Sequence, residues 1–298
     1  MNGKLASDTL TEISHVMNTK VAITLAYILS VFSASATVLV DSTFTNSTLG
    51  ASGRNATNSS NLTPWFLVTS ATAGNALVID DSGVGGLGKS MQVIGGQTVY
   101  TAFSTSTIAD GESITLNLSY RFTGTPGNGS ETFRIALSNA NAAAAITSDQ
   151  SSISGTNLQQ YVGYYAGLAI GANPAPSGTV LRQRDANLTT GLTSSSQSSA
   201  LGSNSVGVIS GNTTHSLEYS ISRSGSTLSF TTKIDGSTLI NGTDSTSIYT
   251  TFNALAISGV GGTVILDNII LQTVPEPATC ALFGIGAAFL LYRRHRRA

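Results

Sequence analysis

Glu112-Ser113-Ile114-Thr115-Leu116-Asn117-Leu118-Ser119-Tyr120-Arg121-Phe122 decides the fold class. Ile114, Leu116, Leu118, Tyr120 and Phe122 alternate with Ser113, Thr115, Asn117, Ser119 and Arg121. A period of two puts the apolar set on one face of a strand and the polar set on the other. The alternation returns in Leu217, Tyr219 and Ile221 against Ser216, Glu218 and Ser220. It returns again, after Ser224-Gly225-Ser226, in Leu228, Phe230 and Ile234. Asp235-Gly236 suits a type I′ turn and closes a further hairpin into Thr238–Ile240. Val264–Leu271 is β-branched enough to be buried on both faces, broken only by Asp267-Asn268. Ala142–Ala145 is the one candidate turn of helix between the chain ends, so the body is predicted to be all-β.

Composition narrows the chemistry. Charged residues make up 10% of the 298, against about 25% in ordinary soluble proteins. The 41% hydrophobic content is too high for a solvated disordered chain. A net charge of −1 gives no basic stripe to meet phosphates, so no nucleic-acid partner is expected. One Cys excludes a disulfide framework within the chain and a cysteine-based metal cluster. Ser-, Gly- and Asn-rich segments at Asn46–Asn61, Ser82–Gly88, Gly124–Gly129 and Thr189–Ser205 are expected to be long surface loops.

The two ends read differently. Lys20 precedes an apolar run, Val21–Phe32, and then Ser33-Ala34-Ser35-Ala36. A basic flank, a short apolar helix and an Ala-x-Ala-like end make residues 1–36 a signal peptide, with Ala34 and Ala36 at the cleavage site. Met17-Asn18-Thr19-Lys20 is a more ordinary start for such a signal than Met1, which places Asp8 and Glu12 ahead of it. At the other end Val274-Pro275-Glu276-Pro277 leads into the apolar run Ala278–Tyr292 and then Arg293-Arg294-His295-Arg296-Arg297. As a helix those apolar residues span about 22 Å, short of a hydrocarbon core of about 30 Å. Arg293, Arg294, Arg296 and Arg297 form a stop-transfer patch held on the cytoplasmic side. Pro275 and Pro277 keep the junction extended.

This tail resembles the PEP-CTERM sorting signal of Gram-negative bacteria: Pro275, Glu276 and Pro277 fill its motif, and the helix and arginines follow in order. The resemblance covers about the last 25 residues. It implies export, anchoring in the inner membrane by a C-terminal transmembrane helix, recognition by an exosortase-type processing enzyme, and a final place on the cell surface or outside the cell. Cys280 reads as a small apolar helix residue, since the catalytic Cys of that system belongs to the exosortase.

Residues 37–273 resemble the concanavalin-like or laminin-G-like jelly roll, on Val38–Phe44 with Trp65-Phe66, the hairpins from His215 to Leu239, and Leu266-Asp267-Asn268-Ile269. The resemblance implies a jelly-roll β-sandwich flanked by the signal helix and the C-terminal helix, with residues 274–298 as the sorting segment. It also points to a structural calcium between first and last strands, for which Asp41 and Asp267 are weak candidates beside the reading that they cap a turn and a bulge. Asp80-Asp81 is a weaker pair still. No other cofactor or metal is expected.

Catalytic constellations are scarce. His215 is the only His of the body and has no nucleophile elbow near it. Glu112, Glu131 and Glu218 are its only glutamates, and none lies in a clustered acidic strand of the kind glycosidases of this fold use. Sugar stacking would call on Tyr161, Tyr164 and Tyr165, or on Trp65, which core packing explains as well. The expectation is therefore a non-enzymatic surface or extracellular-matrix protein. A lectin-like module for exopolysaccharide is the alternative, and a polysaccharide-degrading enzyme comes third. Cleavage after Ala36 makes Thr37 the mature N-terminus. Intact-mass or N-terminal analysis of exported protein checks this, and retention of Met1 or Met17 on surface material would refute it.

Overall fold

The computed structural model describes residues 35–44, 56–57, 64–68, 77–80, 84, 88–123, 131–141, 145–150, 156–170, 178–186, 192–193, 199–204, 213–260 and 262–275. The early strands are β1 (Thr37–Ser42), β2 (Ala56–Thr57), β3 (Pro64–Val68), β4 (Leu77–Asp80), β5 (Lys89–Val93), β6 (Thr98–Thr107), β7 (Glu112–Phe122) and β8 (Phe133–Asn139). A one-turn helix, α1 (Thr156–Gln159), precedes β9 (Val162–Leu168), β10 (Thr179–Arg184) and β11 (Ser199–Asn204). The chain closes with β12 (His215–Ser224), β13 (Thr227–Ile234), β14 (Ser237–Asp244), β15 (Thr251–Gly259) and β16 (Val264–Pro275). Sheet A runs β14-β13-β12-β7-β16-β5-β4, with β1 also on β16, and sheet B runs β11-β10-β9-β8-β15-β6-β3-β2. The chain changes sheet at β1–β2, β3–β4, β5–β6, β6–β7, β7–β8, β11–β12, β14–β15 and β15–β16. These crossovers stack the two antiparallel sheets as an all-β sandwich.

The alternation in β7 works as its sequence predicts: Ile114, Leu116, Leu118, Tyr120 and Phe122 are buried. They meet sheet B through ring contacts, with Tyr120 5.0 Å and Phe122 5.9 Å from the Phe133 centroid. Farther along, Tyr164 of β9 packs 4.6 Å from Phe230 of β13. Truncating one such core side chain to Ala costs about 2–5 kcal/mol. Sheet B is buried on its other face as well, where Phe66, Tyr100 and Tyr165 pack under Ile146, Leu158 and Leu192. Every residue of β9 is accordingly buried. Among the described residues sheet A has no such cover over its Ser- and Thr-bearing strands, and this asymmetry positions the candidate site.

Several expectations change. Thr189–Ser205, expected as a loop, holds β11, an edge strand on β10 whose Ser, Gly and Asn hide its pairing from hydropathy. Asn46–Asn61 likewise contains β2, and α1 adds a helical turn that no periodicity announced. Ala142–Ala144 lie outside the described residues, as do the signal segment through Ala34 and the tail from Glu276 onward. Among the described residues no helix is long and apolar enough to cross a membrane. The Asp235-Gly236 turn is as expected, with positive φ at both residues (51° and 77°).

One close backbone approach requires glycine and a second favours it. Gly163 has φ 150°, and a Cβ there would stand 2.3 Å from the Leu137 carbonyl oxygen of the neighbouring β8. Where β11 and β14 converge at the sandwich edge, a Cβ on Gly202 would sit 3.0 Å from the Asn241 oxygen, and one on Gly242 3.1 Å from the Leu201 oxygen.

Strand β16 pairs first with β5, from Val264↔Val93 to Leu266↔Met91, and then with β1, from Ser42↔Ile269 to Thr37↔Thr273. Asp267-Asn268 makes the change of partner. Val264 and Leu266 face the core before it and Ile269 and Leu271 after it, so the pair shifts the strand's parity. Asn268 takes φ 50°, a backbone region Asn tolerates better than most residues. Asp267 is fully buried; its Oδ1 accepts from the Asn268 N–H at 2.8 Å, while Oδ2 has no hydrogen-bond partner among the described residues. Asp41 lies half-buried on β1 opposite Ile270, and no group of three or more potential metal ligands stands together among the described residues.

Burial pushes the Asp267 carboxyl up to about 6, against a partial opposing effect of the Asn268 N–H. The folded state thus binds the proton more tightly than the unfolded chain. Stability is lost as pH rises from about 4 through 6 and the loss is complete above that. Asp267→Asn should therefore stabilise the sandwich by about 2 kcal/mol at pH 7.5 and by almost nothing at pH 4, read by denaturant titration. A calcium held by Asp41 and Asp267 would reverse the sign, and chelation would then lower the Tm of the wild type.

Candidate functional site

The open face of sheet A is a grid of small polar side chains. Cross-strand register lines up Ser113, Ser222 and Ser229, then Thr115, Ser220 and Thr231, then Asn117, Glu218 and Lys233. Neighbouring strands stand about 4.8 Å apart and alternate residues about 6.8 Å, so the groups form rows at regular spacing. The period of two produces this face directly: each member is the polar neighbour of a core residue.

A shallow groove of about 430 Å³ crosses the grid, lined by Asn117, Ser119, Ser216, Glu218, Lys233 and Asn268 together with Leu118, Leu217, Gly236 and Ile270. Its one ion pair joins Lys233 Nζ to Glu218 Oε1 at 2.8 Å, each side chain about one-third exposed. At that exposure the pair adds little stability, on the order of 0–1 kcal/mol. Its charges cancel, and the groove is left neutral, with amides and hydroxyls set among apolar surface.

One end of the groove carries the only His of the body. His215 Nδ1 lies 2.7 Å from Asp235 Oδ2, and Thr213 Oγ1 lies 3.0 Å from His215 Nε2. The imidazole packs on Tyr120, with ring centroids 5.5 Å apart. Asp235 Oδ1 also accepts from the Ser216 N–H at 2.9 Å and from its hydroxyl at 3.3 Å. Burial works to raise the Asp235 carboxyl, but the bonds from His215 and Ser216 outweigh it and hold the group below its usual range. A hydroxyl–imidazole–carboxylate chain therefore exists, with Thr213 as its hydroxyl. The Ser216 N–H that could face a reacting oxygen is committed to Asp235, so the arrangement clamps the start of β12 to the β13–β14 turn.

The aromatic candidates lie elsewhere. Tyr161, Tyr164 and Tyr165 are buried to 1% exposure or less, and so is Trp65, which donates Nε1–H to Ser42 Oγ at 3.1 Å. Tyr161 shares a 3.0 Å hydroxyl contact with Tyr100 and accepts from the Ile146 N–H. Tyr164 donates to Asp244 Oδ2 at 2.8 Å, and Tyr165 donates to Glu131 Oε2 at 3.2 Å. Burial pushes all three phenols up. They are posts of the fold and no sugar can stack on them. Sequence could not separate these from exposed tyrosines, because β9 is buried on both faces and has no polar alternation to read.

The glutamates are dispersed. Glu112 accepts from the Ala109 N–H at 2.9 Å in the turn before β7, while Glu218 pairs with Lys233. Glu131 is buried at the start of β8, where its carboxylate meets Arg182 at 3.0 Å and Arg134 at 3.5 Å.

Strand β16 includes Pro275, and Ser113 Oγ–H of β7 donates to the Val274 oxygen at 3.3 Å. At the other end Ala36, Thr37 and Val38 are exposed, and Thr37 pairs with Thr273. Glu276, Pro277, Arg293, Arg294, Arg296, Arg297 and Ala34 lie outside the described residues.

Comparison with solved structures finds similarity to the carbohydrate-binding module CBM66 from Bacillus subtilis, at 14% identity and TM-score 0.36 over 70% of this chain and 95% of that one. An endo-1,3-beta-glucanase from Streptomyces sioyaensis is similar at 13% identity and TM-score 0.43, over 82% and 98%. Peanut lectin is similar at 14% identity and TM-score 0.39, over 71% and 97%. Comparison with curated proteins finds no match. Residues 273–297 match the PEP-CTERM protein-sorting motif, so the chain ends in a sorting signal that marks an exported, membrane-anchored protein.

Proposed function

We propose that this chain is a non-enzymatic cell-surface or extracellular-matrix protein, delivered by an exosortase-type enzyme in the inner membrane of a Gram-negative bacterium. The observation that carries the reading is the sorting-motif match over residues 273–297. Pro275, Glu276 and Pro277 are then the recognition residues, and the apolar run after them is a short anchor. The four arginines hold its end in the cytoplasm. Support for contact in place of catalysis comes from the separate commitments of Glu112, Glu131 and Glu218, since glycoside hydrolysis needs two carboxylates facing one bond.

A second reading gives the sandwich a ligand. The groove on sheet A suits an uncharged, polyhydroxylated polymer such as exopolysaccharide, because Asn117, Ser119, Ser216 and Asn268 can exchange hydrogen bonds with hydroxyls, the apolar surface between them can meet C–H faces, and the charges of Glu218 and Lys233 cancel. Recognition without stacking platforms is weak per site, and multivalency along a repeating polymer compensates.

Replacing Pro275-Glu276-Pro277 by three alanines leaves hydrophobicity and charge nearly unchanged. It should preserve insertion and block release, so that full-length protein accumulates in the inner membrane. Replacing Arg293, Arg294, Arg296 and Arg297 by Ser should instead let the segment slip through. Fractionation with intact mass separates the two, and normal trimming of the triple-alanine protein would reduce the tail to an anchor. For the groove, a glycan array on released protein should show saturable binding to neutral polysaccharide, weakened about tenfold by Asn117→Ala or Lys233→Ala, the loss of one or two hydrogen bonds. No saturable binding leaves the structural role alone.

A further inference from the structure

A glycine after an aspartate or asparagine leaves the next backbone nitrogen unshielded by a Cβ. That nitrogen can attack the side-chain carbonyl carbon, close a five-membered succinimide and divert the backbone through the side chain. Three such pairs occur among the described residues: Asp110-Gly111, Asp235-Gly236 and Asn241-Gly242. Each is held differently. Asn241 and Gly242 are rungs of the β13–β14 ladder, opposite Thr231 and Phe230. At Asp110 the attacking nitrogen is itself engaged, because the Gly111 N–H donates to the Arg223 oxygen at 3.0 Å, and the carboxylate accepts from the Gly225 N–H at 2.6 Å. At Asp235 the Gly236 nitrogen makes no such bond among the described residues. The turn is open there as well: the Asp235 side chain is 53% exposed, and nothing lies within 4 Å of where a Cβ on Gly236 would stand. What is held is the carboxylate. Its Oδ2 lies 2.7 Å from His215 Nδ1, and its Oδ1 accepts from the Ser216 N–H at 2.9 Å and the Ser216 hydroxyl at 3.3 Å. Ring closure needs the carboxyl to turn out of these bonds and take up a proton, since its oxygen departs as water.

We propose that Asp235-Gly236 is a latent isomerisation site, and that His215 and Ser216 set its rate as positioning residues for the carboxylate. In the first step the Gly236 nitrogen bonds to Asp235 Cγ and gives up its hydrogen, the Cγ–O bond breaks, and one water leaves. In the second step water adds to the ring at the Asp235 backbone carbonyl carbon and breaks its bond to the Gly236 nitrogen. The product is an isoaspartyl linkage with a free α-carboxylate, at unchanged mass and with no oxidant or reductant involved. It carries one more backbone carbon through a two-residue turn. That spoils the Ile234↔Ser237 pairing beside it and displaces Gly236, which lines the groove on sheet A. The imidazole–carboxylate contact thus protects the hairpin that closes one end of that groove.

The test incubates the full chain in warm neutral buffer and follows isoaspartate at each position by peptide mapping with electron-transfer fragmentation, which separates the two linkages at equal mass. His215→Leu keeps an apolar side chain on the Tyr120 ring and removes the hydrogen bond. It should speed conversion at Asp235 about tenfold, the worth of one charge-assisted hydrogen bond. His215→Asn, whose amide can donate in place of Nδ1, should return the rate toward that of the wild type, whereas a merely space-filling imidazole would leave Asn no better than Leu. Asp110 reports on the fold and should stay slow in every variant. A folded His215→Leu protein whose Asp235 converts no faster than in the wild type overturns the proposal, and so does a wild type whose Asp235 converts as fast in buffer as in urea. If Asp110 accelerates too, His215→Leu has unfolded and Ser216→Ala takes its place. Loss of that hydroxyl alone should speed Asp235 about threefold, and an unchanged rate overturns the proposal.

Discussion

Strand β16 is the constraint on which the rest depends. It lies between β7 on one side and β5 and then β1 on the other, so three strands of sheet A are held together by one segment. Serving two partners in succession forces a parity change midway, and Asp267-Asn268 supplies it at the cost of a buried carboxyl. Strand β1 has its only described partner there, so that ladder joins the two ends of the body. Such non-local pairing makes for slow folding.

Much of this was legible in the sequence wherever one face of a strand is wet. The alternations in β7, β12 and β13 name both their core residues and the polar grid, since Ser, Thr and Asn occupy every second position. Two-sided burial erased that signal in β9, so Tyr164 and Tyr165 looked like surface aromatics when they are interior posts. Edge position erased it in β11, whose low hydropathy suited a loop equally well. Asp267 read as an interruption of an apolar run, and it is instead as buried as the residues around it.

The groove was legible only in part. Asn117, Ser119 and Glu218 could be assigned to an outward face from period two, but their meeting with Asn268 depends on β16 lying next to β7. No local pattern encodes that adjacency. The chain from Thr213 through His215 to Asp235 likewise depends on the hairpin register that sets β12 beside β13. The tail needed no structure to be read, because its order of prolines, apolar run and arginines is linear.

The convergence of β11 and β14 has a consequence for how such molecules crowd together. Each is the last strand of its sheet, and an unprotected last strand offers a template for pairing with another chain. Gly202 and Gly242 let the two backbones approach so closely that a methyl on either would press on the other strand's carbonyl oxygen, so each edge is shielded by the other. Copies of the chain brought together at high concentration are thereby kept from pairing edge to edge along this seam.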